Sequence, residues 1–149
     1  MPVSARYDAT ENRFVTEDSL RASMRFLRQR VTLAQLNAGF TLLPAVPGYL
    51  YSLVDCKLIA IGGAATTGTS VNVIGTRAAA PVQLLVAAVA ALTQSALVRM
   101  GAANAVILAD GASFTPLDVN TAITVITVGS AMTVMTNLDV VLDYSIVQA

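Results

Sequence analysis

"LDVVLDYSIV", residues 138–147, is the stretch on which the fold turns. Leu138, Val140, Leu142, Tyr144 and Ile146 alternate with Asp139, Val141, Asp143, Ser145 and Val147. Wound as a helix, it would set Asp139 and Asp143 one turn apart as repelling neighbours. Drawn out as a strand, it separates them by about 13 Å and collects the apolar residues on one face. The strand reading wins.

Working outward, "YLYSLVDCKLIAI" (49–61) repeats the alternation. It predicts Leu50, Val54, Cys56, Leu58 and Ala60 on one face, Ser52 being the exception, with Tyr49, Tyr51, Asp55 and Lys57 on the other. "SVNVIGT" (70–76), "NAVILAD" (104–110) and "NTAITVITVG" (120–129) are short, rich in Val, Ile and Thr, and bounded by Gly, Asn, Asp or Ser. Asp110-Gly111 signals a turn, and Pro116 interrupts a longer loop. Strands spaced by about ten to fifteen residues predict an all-β fold, an antiparallel jelly-roll-like sandwich or barrel. One short helical exception is expected. Thr32 and Gln35 have capping-box spacing and Gly39 suits a helix end, which predicts a turn over about 33–37.

"LLVAAVAALTQSALV" (84–98) is apolar without a break from Leu84 to Leu92. A bilayer span needs about 20 such residues, and Pro81, Gln83, Thr93, Gln94 and Ser95 fence this run in. Its alanines favour a helix in isolation, but its neighbours are strands. The expectation is a strand over 82–90 covered on both faces, and a second over 95–99. A two-layer sandwich covers only one face of each sheet, so the other face would meet an arm, a partner subunit or a shell. The N-terminus lacks a basic region followed by an apolar one, so no secretion signal is expected.

Apolar residues make up 55% of the chain and charged residues 12%, against roughly 25% charged in ordinary globular proteins. Such a surface associates. The chain has no His, which excludes a Ser-His-Asp triad, a Cys-His pair and an ordinary zinc site. Lys57 has no S-x-x-K partner, and "GGAATTGTS" (62–70) lacks the G-K-[ST] ending of a phosphate loop and reads as a turn. Asp110 and Asp118 do not form a calcium loop. The single Cys56 reads as a small buried apolar residue, in keeping with assembly in a reducing cytoplasm. No catalytic role, cofactor or metal is expected.

Residues 1–30 hold six of the nine basic groups and four of the nine acidic ones. "MPVSARYDATENRFVTED" (1–18) shows no sustained apolar face, so it is expected to be an extended arm that orders against something else, with residues 19–149 as the body. Arg6, Tyr7, Arg13, Phe14, Arg21 and Arg25 are the candidate contacts to a neighbour, aromatic anchors beside arginines. "SLRASMRFLRQR" (19–30) alternates as a half-buried strand with Leu20, Ala22, Met24 and Phe26 on one face, although Leu20, Met24 and Leu27 also fit a helix face. A net charge of zero argues against nucleic acid as partner.

In "LAQLNAGFTLLPAVPGYLYSLVDCKLIAIGG", "LLVAAVAALTQSALVRMGA", "LADGASFTPLDVNTAITV" and the closing "LDVVLDYSIV", the chain resembles the small decoration, or cement, proteins on the capsids of tailed bacteriophages. The resemblance covers roughly residues 33 to 147 and rests on a pattern of Gly, Ala and β-branched residues. It implies a jelly-roll-like body, a homotrimer at local threefold positions, and an N-terminal arm gripping a neighbour. It also implies the major capsid protein as partner and the outer surface of the virion as location, with no membrane and no nucleic acid bound. The rival reading is a phage tail or head-fibre module contacting a host ligand. Such a module favours exposed aromatics, and this chain has four Tyr, four Phe and no Trp.

Overall fold

The computed structural model describes residues 24–100 and 116–149, together with the backbone of Ala5–Asp8, Arg13–Thr16 and Ala105–Val106. β1 (Ala5–Asp8) and β2 (Arg13–Thr16) pair antiparallel with each other as a small separate sheet. The body is an all-β, antiparallel arrangement of two larger sheets. One contains β3 (Met24–Thr32), β13 (Asn137–Gln148), β5 (Tyr49–Ile61) and β9 (Leu97–Arg99), in that spatial order. The other contains β10 (Ala105–Val106), β8 (Ala80–Ala88), β7 (Ser70–Arg77), β11 (Ile123–Val128) and β4 (Phe40–Leu43). Two-residue strands β6 (Ala65–Thr66) and β12 (Thr133–Val134) pair at one side. Setting aside the two-residue strands and the β1–β2 pair, the first sheet runs first, eighth, third, sixth in chain order. The second runs second, seventh, fourth, fifth.

β13 is the strand that its sequence predicts. Leu138, Val140, Leu142 and Tyr144 are buried, and they join Val31, Leu58, Val71, Val73, Leu85 and Val125 in one cluster fed by both sheets. Each such side chain contributes about 1.5–3 kcal/mol on full burial. β3 is also a strand, but its inward residues are Leu27 and Val31, while Met24 and Phe26 face outward and are exposed.

Three bulges explain where simple alternation fails. Between β13 and β5, Asp143 pairs with Asp55 and Tyr144 with Leu53, so Val54 is the extra residue. Parity flips there. Tyr51 and Leu53 are buried on one side of the bulge, Cys56, Leu58 and Ala60 on the other, and Val54 is exposed. The single unbroken face expected for 49–61 is therefore corrected, because a bulge re-aims every residue beyond it. Between β7 and β8, Val73 pairs with Leu85 and Ile74 with Gln83, which leaves Leu84 over. Between β11 and β4, Leu42 is the residue passed over. Leu84–Leu85 and Leu42–Leu43 are consequently buried side by side.

This corrects the reading of the apolar run. It is a strand to Ala88, then a 3-10 turn over Val89–Ala91, and Leu92 returns to the core. Gln83 and Ala88 are exposed and Val86 is half-buried, so the strand is not covered on both faces along its length. A bulge, not a second layer, accounts for the adjacent leucines. The short strand expected over 95–99 is β9. The strand expected over 104–110 lies outside the described residues apart from the backbone of β10, as does the Asp110-Gly111 turn.

The helical exception is α1 (Leu33–Ala38), with the Thr32 side chain accepting from the Gln35 N–H and the Gln35 side chain accepting from the Thr32 N–H. Gly39 closes it at φ +85°, where a side chain would also press on Ile126. At the opposite end, the segment after Pro116 ties the two sheets together. The Leu117 and Asn120 N–H groups bond to Tyr51 and Tyr49 of β5, and the Asp118 N–H bonds to Thr76 of β7. The Asp118 carboxylate accepts from the N–H groups of Ala78 and Ala79, at 3.0 and 2.8 Å. Those two residues form the β7–β8 turn at φ +52° and +57°, a conformation that disfavours any residue with a Cβ.

Left-handed backbone costs an L-residue about 1–2 kcal/mol, more than the entropy that glycine adds to the unfolded chain, about 0.4–1 kcal/mol. Ala79→Gly should therefore raise stability by about 0.5–1 kcal/mol in urea titration. Asp118→Ala should lower it by about 1–2 kcal/mol, since it strips both turn N–H groups of their partner.

Candidate interaction surface

The outward residues of the four-stranded sheet fall into rows fixed by the pairing register. Arg30, Asp139, Ile59 and Leu97 lie across one row, and Arg28, Val141, Lys57 and Arg99 across the next. Phe26, Asp143 and Asp55 follow, then Met24, Ser145 and Ser52, then Val147 and Leu50. Charge is concentrated in the first three rows, and the exposed apolar side chains of Phe26, Met24 and Val147 gather towards the other end.

Asp139 is the pivot of the charged part. Only 1% of it is exposed, yet both its oxygens are paired. Arg30 donates through Nε at 2.6 Å and through a terminal nitrogen at 3.0 Å, and Arg28 donates at 2.8 Å. The Arg30 hydrogen bond leads, with Arg28 assisting against the opposing effect of burial, in holding the Asp139 carboxyl down at about 2. The Arg30 guanidinium is shifted upward by the same bond. Lys57 donates to Asp143 at 2.6 Å and lies 2.9 Å from Asp55. Those two carboxylates push its pKa up, which holds it as a bound ammonium ion. Arg99 reaches Asp55 at 3.3 Å.

The other residues weighed for chemistry are accounted for by packing. Cys56 is buried, and burial pushes its thiol pKa up. Asp118 caps the β7–β8 turn, and Asp110 lies outside the described residues. Tyr51 meets Tyr144 edge to face at 5.8 Å and donates from its hydroxyl to the Pro44 carbonyl at 2.6 Å. Among the described residues, no group of His, Cys, Asp and Glu is placed to hold a metal ion, and no helix is long and apolar enough to cross a membrane.

The candidate contact residues are distributed unevenly. Backbone pairing sets Tyr7 opposite Phe14 and Arg6 opposite Val15, and Arg13 faces Asp8; their side chains, and all of Arg21, lie outside the described residues. Arg25 is exposed on β3 opposite Tyr144. It therefore lies on the opposite face from Arg28 and Arg30. Those two arginines are the functional candidates that sequence reasoning passed over. Their spacing of two and the alternation in 138–147 were both visible, but which strand β13 pairs with was not.

The exposed large apolar residues are the second feature of the surface. Phe26 is 66% exposed, Met24 58%, Leu97 54% and Val147 38%, all on this sheet. Val134 and Val128, on β12 and β11, are exposed as well. Val134 also holds φ +74°, an outlier for a β-branched residue.

No protein-family model matches the chain, and comparison with curated proteins and with solved structures finds no match.

A carboxylate whose folded pKa is depressed stabilises the fold above its unfolded value and loses that contribution as pH falls through the folded one. For Asp139 the window runs from 3.8 down to about 2. With the exposed arginines discounted for screening, the contribution is about 1–2 kcal/mol. Asp139→Asn should be less stable than the parent by that amount at about pH 6, with the gap closing towards about pH 2. Denaturant titrations across that range check it; a constant gap would assign the loss to packing alone.

Proposed function

We propose that this chain is a structural virion protein: a capsid decoration, or cement, protein that sits on the outer surface of a bacteriophage head as a homotrimer and bridges joints between capsomers. The observation that carries the reading is the surface. A rigid two-sheet body leaves Phe26, Met24, Leu97, Val128, Val134 and Val147 exposed, with Phe26, Met24 and Val147 gathered at one end of the four-stranded sheet. The chain has only 12% charged residues, and exposed apolar side chains grouped in this way are characteristic of association sites. The nested strand order supports a jelly-roll reading of the sandwich, an architecture that viral capsid proteins use among others. Fold alone does not decide function; the resemblance noted in the sequence adds the shell as partner.

The physics of that task suits such a molecule. A DNA-filled shell is pushed outward, and its joints are where it opens. A trimer over a joint makes three attachments at once, and linked weak contacts can raise affinity by about 10² to 10⁴ without new chemistry. Tying core side chains into a sandwich with a capped turn at one end and a capped helix at the other supplies the stiffness. The chemistry is adhesive, with no catalytic step, cofactor or metal assigned. The partners are the major capsid protein and two further copies.

Purified protein should sediment as a trimer of the 15.5 kDa chain, and mass and stoichiometry measured on purified phage particles should place it on the head in many copies. A compact monomer indifferent to dilution and missing from particles would end the proposal. Removing residues 1–18 should leave a folded trimer that no longer protects shells against heat. Equal protection by the shortened chain would remove the arm from the mechanism while leaving the shell assignment intact.

A further inference from the structure

β3 is the longest edge in the sandwich. Among the described residues it pairs on one side only, with β13, and no strand lies on its other side. Among the described residues the other outermost strands are short, β4 with 4 residues, β9 with 3 and β10 with 2, and the lengths of β8 and β5 that run past β10 and β9 are shorter than β3. β3 has 9. Its nine pairs with β13 run without a register shift, so no bulge twists the edge away, and its sequence "MRFLRQRVT" has no proline. An edge that is long, straight and partly apolar is a template for another strand unless something protects it.

The pairing pattern shows which backbone groups are available. The Leu33 N–H bonds to the Thr136 carbonyl, in line with the β3–β13 register. In an antiparallel ladder, hydrogen-bonded pairs alternate with non-bonded ones. Val31, Gln29, Leu27 and Arg25 therefore point their backbone groups at β13. Met24, Phe26, Arg28 and Arg30 point theirs away from it, to the free side. The Thr32 N–H, next in that series, already turns to the Gln35 side chain instead of β13, as this parity demands. The Gln29 side chain covers the Arg30 carbonyl at 3.1 Å. The N–H groups of Phe26, Arg28 and Arg30, and the carbonyls of Met24, Phe26 and Arg28, remain for a partner strand.

Edge charges usually guard against such pairing. Here Arg28 and Arg30 lean inward over β13 to reach Asp139, which leaves the hydrogen-bonding rim uncovered while more than half of each arginine side chain stays exposed. Phe26 and Met24 stand exposed beside them. Along its length β3 carries three arginines, Arg25, Arg28 and Arg30, and no acid, and Asp139 is shared by two of them. A second β3 would bring like charges against like, which disfavours self-pairing.

We infer that the free edge of β3 binds an extended, acidic segment of another protein by strand addition. The added strand would set carboxylates opposite Arg28 and Arg30 on the outer face, and an apolar side chain beside Phe26 and Met24. A further carboxylate would face Arg25 on the other side. Main-chain bonds supply affinity and the alternating side chains supply selectivity. The inference stands apart from the shell reading, since a peptide assay reads the edge and a particle assay reads the location.

The test uses the full chain and a fluorescent nine-residue peptide of sequence Thr-Val-Glu-Thr-Glu-Val-Val-Glu-Val, with the same peptide carrying lysine in place of glutamate as comparison. In antiparallel register it sets glutamates opposite Arg30, Arg28 and Arg25 and valines opposite Phe26 and Met24. The glutamate peptide should bind saturably, at least about tenfold tighter than the lysine one, and weaken as salt rises. Hydrogen exchange should slow at the amides of Phe26, Arg28 and Arg30 and not at Leu27 or Gln29. Phe26→Pro removes a free-side N–H without breaking a bond to β13, so it should lose binding by at least about tenfold relative to Phe26→Ala. Arg25→Glu, which alters no described ion pair, should weaken the glutamate peptide and should not weaken the lysine one. Equal binding of both peptides, no saturable binding, or unchanged exchange at the three amides would overturn the inference. So would self-association abolished by Phe26→Pro, which would give the edge to a second copy.

Discussion

Two-sided pairing of β13 is the constraint on which the sandwich depends. Twelve residues of this strand pair with β5, and nine of those pair also with β3, so its period of two is imposed on both neighbours. Each residue of β13 is committed either to the core or to the outer face. Leu138, Val140, Leu142 and Tyr144 take the first role, and Asp139, Val141 and Asp143 the second. Asp139 sits on the outer side yet is almost wholly covered, because the arginines of β3 fold over it. A buried carboxylate with one partner removed would be a heavy liability. With both oxygens engaged it pins β3 to β13 in a single register.

Bulges then adapt that rigid alternation to a closed core. Each of the three inserts one residue and changes parity, and each does so where two adjacent residues are needed on one side or where a side chain must be turned outward. Leu42–Leu43 and Leu84–Leu85 are doublets of the first kind, and Val54 is the residue turned out in the second. Packing demands at the two ends of the sandwich differ, and a strand of perfect alternation could not meet both. The segment from Pro116 to Asn120 closes one end by bonding to β5 and β7 together, so the sheets are joined by hydrogen bonds as well as by apolar contact.

The surface that results is unusual in how its few charges are spent. Lys57, Arg28, Arg30 and Arg99 are all tied to Asp55, Asp139 or Asp143, so the outer face of this sheet presents an ion-pair network that is close to neutral, with the one excess positive charge where Arg28 and Arg30 share Asp139, flanked by bare apolar side chains. Such a face has little net charge to repel a partner. A decoration role would use it for broad, weak contacts repeated by symmetry, and the free side of β3 for a narrower, directional one. These are two kinds of attachment with different salt dependence, since apolar contacts persist where screened charges fade.

What could be read from the chain alone was whatever rests on neighbours in sequence. The alternation of 138–147, the Thr32–Gln35 capping box with Gly39 and the strand-rich spacing are all local, and they settled the all-β class and the helical turn. What depends on residues far apart was decided only by the tertiary structure. The parity flip at Val54 arises because β5 must match β13, and nothing in "SLVDC" announces it. The burial of Leu84 beside Leu85 looked like coverage on two faces and is a bulge. Arg28 and Arg30 looked like part of a basic stretch, and Asp139 lies 111 and 109 positions away from them. A sequence states each strand's own period. Which edge meets which, and in what register, is a property of the assembled sheet.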